Sequence, residues 1–264
     1  MNLNPRLWLI GGTSESAALA GAIATLQIPF TVTVTTESAK GLYPVNCPQL
    51  RIVVCQLNLT TIQQFLQEQN IGAILDASHP HAAEISRLAI AASREHNIPY
   101  LRYERPQIQE LDKTTESDVL HLDGFDTLVS GDYLAGQRVM LTLGYRTLPK
   151  FKIWQDRAVL FARILPSLVS LEVALDSGFT GDRIIAIRPP ISAELEASLW
   201  RQWGISLAVT KASGNAGGEG IKRKVARELG VPLIIIDRPK ITYPQYTEDR
   251  AIAIEFCRRH IPTF

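Results

Sequence analysis

Apolar and amphipathic stretches alternate regularly along the first hundred residues of the chain. Short apolar runs rich in β-branched residues predict strands, and the longer stretches between them space their apolar residues as helices do. Strands are predicted over 7–10, 30–36, 51–54, 71–76 and 100–102, and helices over 15–26, 60–69 and 82–96. A strand–helix–strand series of this kind predicts a parallel sheet with helices on both faces.

The alternation weakens from residue 104 to 135, where charged residues, Asp, Gly and Thr surround one short apolar run at 119–122. It resumes with strands predicted over 139–143, 158–162, 183–187, 206–210 and 233–236, and helices over 167–176, 192–203, 220–229 and 248–259. We therefore predict an α/β protein with two Rossmann-like units, both with parallel sheets, and a ligand crevice between them. The predicted domains are 1–106, which binds a dinucleotide, and 107–264.

Composition narrows the class of protein. Of the 264 residues, 46% are hydrophobic and 20% charged, which suits a globular core, and the net charge of +1 argues against a nucleic-acid-binding protein. Cys47, Cys55 and Cys257 form no CxxC pair, as expected for reduced thiols. The apolar run near the N-terminus is too short to predict a signal-peptide core, and no apolar run reaches the roughly 20 residues of a membrane helix. We expect a soluble, cytoplasmic protein, and the sequence leaves its oligomeric state open.

The segment "LIGGTSES" follows the first predicted strand with the parts of a phosphate-binding turn. Gly11 and Gly12 let the backbone approach an anion, and Thr13 or Ser14 can cap the next helix, whose N-terminus then faces the ligand. The full GxGxxG fingerprint is absent. The alternative is a plain strand-to-helix turn capped by Ser14.

The end of the second predicted strand is where dinucleotide sites distinguish a free ribose from one carrying a 2′-phosphate. Here Glu37 suits a free ribose diol, whereas Ser38 and Lys40 suit the phosphate. The choice between NADH and NADPH therefore stays open at this point, and a polar loop that contacts no ligand is the alternative.

Basic residues follow the predicted strands of the second half. Placing several cations along one sheet edge is costly unless anions meet them, so the pattern predicts a polyanionic ligand. The alternative is solvated strand ends that are each paired with a local acid. The residues are Arg146, Arg163, Arg188, Lys211 and Arg238. A second glycine-rich loop, "KASGNAGGEGIKRK", begins at Lys211 and is expected to hold an anion or act as a lid.

The segment "DASHPHA" places His79 and His81 on either side of Pro80, just after a predicted buried strand. We expect the histidines to line a ligand crevice and Pro80 to start the next helix. No HExxH motif or cysteine pair supports a metal site, and no GxSxG elbow supports a serine hydrolase.

Segments spread along nearly the whole chain resemble the precorrin-6A reductase family of cobalamin biosynthesis. They are "LIGGTSES", "DASHPHAAEIS", "PYLRYERP", "LGYRTL", "ARILP", "VTKASGNAGG" and "VPLIIIDRP". The resemblance implies an NAD(P)H-dependent oxidoreductase that reduces a double bond of a tetrapyrrole, precorrin-6A or its cobalt form. It implies NADPH as the cofactor, with NADH as the alternative, and the residues themselves predict no bound metal.

The resemblance, together with the strand-end positions, assigns roles to individual residues. His79 is the predicted catalytic residue. The predicted cofactor-binding residues are Gly11, Gly12, Thr13, Glu15, Thr36, Ser38, Lys40, Pro80 and Ala82. The predicted substrate-binding residues are Arg105, Arg146, Arg163, Lys211, Ser213 and Gly214. Three alternatives remain: another NAD(P)-dependent reductase on this fold, a non-catalytic nucleotide-binding protein, and a tetrapyrrole carrier.

Overall fold

A computed structural model describes residues 5–44, 46–108 and 118–262. Within these ranges the strands are β1 (Arg6–Ile10), β2 (Phe30–Val34), β3 (Leu50–Val54), β4 (Ile71–Asp76), β5 (Tyr100–Tyr103), β6 (Val119–Leu122), β7 (Arg138–Leu141), β8 (Val159–Ile164), β9 (Ile184–Ala186), β10 (Leu207–Lys211), β11 (Leu233–Ile236) and β12 (Tyr246–Thr247). The α-helices are α1 (Ser14–Thr25), α2 (Ile62–Glu68), α3 (Ala83–Glu95), α4 (Phe125–Ser130), α5 (Leu168–Asp176), α6 (Ala193–Gln202), α7 (Glu219–Leu229) and α8 (Arg250–His260).

The strands form two parallel sheets, each in its own compact unit. The first sheet has the order β12-β5-β4-β1-β2-β3, and the second has the order β6-β11-β10-β7-β8-β9. In each sheet the chain leaves a central strand to one side and later returns to the other side. The switch lies between β1 and β4 in the first sheet and between β7 and β10 in the second. Ligands of open α/β sheets bind outside the carboxyl ends of strands at such a switch.

The C-terminal segment belongs to the first unit, whereas the domain division predicted from the sequence assigns it to the second. The first unit comprises residues up to Pro106 together with those from Lys240 onward, and the second runs from Gln107 to Pro239. The segment returns because β12 pairs with β5, and α8 packs its apolar face on the first sheet. Ala253, Cys257 and Ile261 are completely buried there. The predicted domain 107–264 therefore differs from the compact units of the structure at residues 240–262.

The connection from β7 to β8 also differs from the expected strand–helix alternation. It is a 3₁₀ segment, Tyr145–Trp154, that contains Pro149 and buries Leu148, Phe151 and Trp154 against the second sheet. Proline lacks a backbone N–H and disfavours an α-helix interior, which explains the irregular winding. Apolar spacing alone did not identify this element, because its buried residues do not form a long helical stripe.

Over the described ranges, no helix is both long enough and apolar enough to cross a membrane.

Replacing Ile261 with alanine tests the packing of the C-terminal segment on the first unit. Ile261→Ala is expected to lower the free energy of unfolding by about 2–5 kcal/mol, because it leaves a cavity at a fully buried site. Ile252→Ala is the control, since Ile252 is 55% exposed on α8, and its cost is expected to stay under about 1 kcal/mol. Hydrogen exchange in the Ile261 variant should rise more in β1 and β4 than in β7 and β10. Equal increases in both sheets would contradict this packing.

Candidate active site

The turn between β1 and α1 is capped on its helical side. Thr13 is the N-cap: its Oγ1 accepts the Ser16 N–H at 3.0 Å, and Ser16 Oγ accepts the Thr13 N–H at 3.1 Å. Gly12 has a φ of +96°, a conformation that side-chain-bearing residues rarely adopt. The capping residue is thus Thr13, not Ser14. The turn presents the N-terminus of a twelve-residue helix at the carboxyl end of a central strand.

Tyr43, which the sequence pattern did not identify as a site residue, forms hydrogen bonds with this turn through its hydroxyl. Its hydroxyl accepts the Gly12 N–H at 2.7 Å and lies 2.7 Å from Ser16 Oγ. A Cβ on Gly11 would stand 2.2 Å from that hydroxyl and 2.8 Å from Val32. The sequence gives no periodic signal for Tyr43, which lies in irregular backbone after β2. Glycine at position 11 is required by this close approach.

The loop after β2 holds the residues predicted to read the ribose. Residues Glu37–Leu42 form a 3₁₀ turn that Thr36 precedes. Thr36 Oγ1 lies 3.3 Å from Ser38 Oγ, and Lys40 Nζ forms an exposed ion pair with Glu37 at 2.8 Å. Glu37, which suits a free ribose, and Lys40, which suits a 2′-phosphate, therefore contact each other. Exposed pairs of this kind contribute at most about 1 kcal/mol, so an incoming anion can replace Glu37.

A buried ion pair lies beneath the loop after β4. Asp76 is completely buried, and its carboxylate accepts bonds from Arg102 Nη1 at 2.8 Å, Ser86 Oγ at 2.6 Å and Tyr100 Oη at 2.8 Å. The Ser78 N–H donates to the same carboxylate at 3.0 Å. Burial raises the pKa of Asp76, but Arg102 and the bonds from Ser86 and Ser78 outweigh it and hold the pKa below its usual value. The loop therefore leaves the sheet from a fixed, charged anchor.

The loop itself carries both predicted crevice histidines. His79 Nδ1 accepts the His81 N–H at 3.1 Å, the His79 carbonyl accepts the Ala82 N–H at 2.7 Å, and the two rings lie 5.7 Å apart. Thr13 Oγ1 donates to the Ala77 carbonyl at 2.9 Å. The structure thus brings the histidine loop and the glycine turn together.

Helix α3 begins later than the sequence predicts. It starts at Ala83, and Ala82 occupies the N-cap position. Pro80 is buried in the loop before it, so the prediction that Pro80 starts the helix is wrong. The turn that closes with the Ala82 N–H on the His79 carbonyl separates the proline from the helix.

Arg105, predicted to bind substrate, lies in the first unit beside the glycine turn. Its Nη2 atom donates to Glu15 Oε2 at 2.9 Å, and both side chains are mostly buried. Glu15 also accepts from Ser14 Oγ at 3.0 Å. This pair places Arg105 with the predicted cofactor residues.

In the second unit, Lys211 and Arg146 lie at the carboxyl ends of β10 and β7, at the switch point. Lys211 is half-buried with its Nζ 5.5 Å from the centre of the Phe125 ring. Burial and the nearby positive charge of Arg146 lower the pKa of Lys211 to about 8. Two cations at one switch point favour an anionic ligand there.

The second glycine-rich loop is held from within the protein. The Gly214 N–H donates to Glu219 Oε2 at 2.8 Å, and the Ser213 N–H donates to the Lys211 carbonyl at 2.7 Å. Lys222 is buried and donates from Nζ to the Gly217 carbonyl at 3.0 Å. Burial, together with the nearby positive charge of Arg163, lowers the pKa of Lys222 to about 8, and the charges of Glu196 and Glu219 act in the opposite direction. Gly214 and Ser213 are thus fixed next to Lys211.

Arg163, another of the predicted substrate-binding residues, is already paired with a carboxylate of this unit. It lies inside β8, not beyond its end, and its guanidinium forms an ion pair with the buried carboxylate of Glu196 on α6. For Arg163 the alternative of pairing with a local acid therefore describes the structure better than a free strand-end cation. Over the described part of the chain, no three His, Cys, Asp or Glu side chains are grouped to hold a metal ion.

Comparisons with known proteins agree with one another. A sequence model of the family described as Precorrin-6x reductase CbiJ/CobK matches residues 6–258. A cobalt-precorrin-6A reductase of Synechocystis sp. is 47% identical over 261 residues, covering 97% of each chain. A cobalt-precorrin-6A reductase of Priestia megaterium is 35% identical over 242 residues, covering 89% of this chain and 91% of that protein. The solved structure of CobK precorrin-6A reductase shares the fold, with a TM-score of 0.80 at 23% identity, and covers 98% of this chain and 100% of its own.

Replacing Gly11 with alanine tests the close approach at the glycine turn. The added Cβ would displace either Tyr43 or the turn, so Gly11→Ala is expected to raise the Kd for nicotinamide dinucleotides at least about ten-fold. Gly21→Ala is the matched control, because Gly21 lies in α1 with open space around its Cβ position. That control should bind normally and gain about 0.5–1 kcal/mol of stability from the better helix propensity of alanine. Normal binding by Gly11→Ala in a titration of tryptophan fluorescence would refute the proposed geometry.

Proposed function

Because the chain belongs to the Precorrin-6x reductase CbiJ/CobK family, we propose that it reduces cobalt-precorrin-6A with NADPH. The observation that carries the proposal is the family match over residues 6–258, and the two relatives named for the cobalt form support that substrate. The reaction adds a hydride to one carbon of a double bond in the macrocycle and a proton to its neighbour. The cofactor leaves oxidised, and the cobalt ion belongs to the substrate.

The glycine turn suits the pyrophosphate of a dinucleotide. Gly11 leaves no room for a side chain, Gly12 is exposed, and α1 begins directly after Thr13. A helix N-terminus and a backbone without side chains together favour the close approach of an anion. When bound, the reduced nicotinamide supplies the hydride, and the residues of this chain orient the reactants and exclude water.

We assign the proton-handling role to His79. Its Nδ1 accepts the His81 N–H, so the neutral ring carries its proton on Nε2. In this proposal that N–H donates a hydrogen bond or a proton to the bound reactants, and the bond from Thr13 to the Ala77 carbonyl, which ties the histidine loop to the glycine turn, supports it. In the second unit, Lys211 and Arg146 bind carboxylates of the macrocycle.

The proposal is tested by following NADPH absorbance with cobalt-precorrin-6A as substrate. One NADPH should be consumed for each macrocycle reduced, whereas a carrier or a non-catalytic nucleotide-binding protein would consume none.

Lys40→Gln should raise the Kd for NADPH about ten-fold and leave the Kd for NADH unchanged, because only NADPH carries a 2′-phosphate for Lys40. Lys224→Gln is the control, since Lys224 is also exposed beside a glutamate. An equal loss for both dinucleotides would refute the role of Lys40.

The lowered pKa of Lys211 predicts a pH-dependent affinity for the macrocycle. Carboxylate binding needs the protonated amine, so the Kd should rise as the pH passes about 8, while the substrate carboxylates stay ionised. Lys211→Arg should remove this pH dependence, because a guanidinium stays charged over the whole range. Lys211→Met should also remove it and bind more weakly at pH 7. A wild-type Kd that stays constant from pH 7 to 9.5 would contradict the proposal.

A further inference from the structure

Tyr43 links two segments that the proposed function assigns to the same cofactor. It directly follows the 3₁₀ turn Glu37–Leu42, and its N–H donates to the Lys40 carbonyl at 3.1 Å. Its ring is 3% exposed and packs among the core residues of the first unit. Its hydroxyl reaches the glycine turn. One side chain thus joins the loop after β2 to the turn after β1.

The donor and acceptor in each hydrogen bond around the Tyr43 hydroxyl can be assigned from the bonds that its neighbours make. The Gly12 N–H donates to Tyr43 Oη, and Ser16 Oγ donates to the Thr13 carbonyl at 2.7 Å. Ser16 Oγ also accepts the Thr13 N–H. The hydroxyl proton of Tyr43 is therefore left to donate to Ser16 Oγ across the 2.7 Å contact. Each hydroxyl then donates once, and the whole turn is tied to Tyr43.

We propose that Tyr43 is a positioning residue that fixes the phosphate-facing turn and couples it to the ribose-reading loop. This inference rests on the proposed dinucleotide site. Phenylalanine would fill the same core space, so packing alone does not require the hydroxyl. The hydroxyl is required to hold the Gly12 N–H and Ser16, and through Ser16 the carbonyl and N–H of Thr13 that set the start of α1.

The test is Tyr43→Phe, which removes one oxygen atom and leaves the ring. The Kd for NADPH is expected to rise about ten-fold, because the turn loses its anchor and the Gly12 N–H loses its acceptor. In turnover, the KM for NADPH should rise while kcat at saturating NADPH stays unchanged. General loosening of the fold would instead reduce the fraction of active enzyme, which lowers kcat and leaves the KM of the folded molecules as it was. Tyr246→Phe is the matched control, because Tyr246 lies in the same unit with 66% of its side chain exposed.

Ser16→Ala provides a second, independent variant and should also raise the Kd for NADPH. The double variant Tyr43→Phe/Ser16→Ala should lose less than the product of the two single losses, because both substitutions remove the same hydrogen bond. Multiplicative losses, or an unchanged Kd in Tyr43→Phe, would overturn the inference while leaving the proposed function standing. Failure of the wild-type protein to bind either dinucleotide would overturn the proposed function itself.

Discussion

The buried pair of Asp76 and Arg102 is the constraint on which the first unit depends. Asp76 is 0% exposed and Arg102 is 1% exposed, and a charge buried without a partner would be very costly. Asp76 ends the central strand β4, so its partners must come from the neighbouring strand and from the helix that follows. Tyr100 and Arg102 come from β5, and Ser86 comes from α3. Satisfying one carboxylate thus fixes the positions of three elements.

The pH dependence of this constraint follows from the lowered pKa of Asp76. Its stabilising contribution is complete above the pKa of an unfolded aspartate and is lost as the pH falls through the lower value of the folded state. Removing Arg102 alone would leave an uncompensated charge, which typically costs about 3–5 kcal/mol. The main effect of the pair is therefore to fix the position of the loop after β4. Its net contribution to stability is secondary.

The second unit has a similar arrangement of a buried carboxylate and an arginine at its own switch point. Glu219, 3% exposed, accepts the Gly214 N–H, just as Asp76 accepts the Ser78 N–H. Arg223 pairs with Glu219 at 3.0 Å, as Arg102 pairs with Asp76. In each unit a buried carboxylate with an arginine partner holds the backbone of the loop that follows a central strand. Rigid support beneath a loop keeps a binding site organised before the ligand arrives.

Sequence patterns were informative where a local rule decides the structure and failed where distant partners do. The alternation of strands and helices predicted both parallel sheets. The glycine turn, the loop after β2 and the histidine loop lie at strand ends in one unit. The return of residues 240–264 was missed because β12 has only two residues and its partner β5 lies far away in sequence. The partner of Arg163 could not be identified from the sequence, because Glu196 lies 33 positions later on another element.

Arg163 differs from Lys211 and Arg146 in how its charge is compensated. A cation paired with a buried carboxylate is already compensated, so it exerts little pull on a substrate anion. Lys211 differs from Arg163, because burial and, to a smaller extent, the nearby positive charge of Arg146 lower its pKa. Under the proposed function, a substrate carboxylate placed between Lys211 and Arg146 would relieve their repulsion and keep Lys211 protonated to a higher pH. We therefore expect the proposed site at the second switch point to favour an anionic substrate over a neutral one.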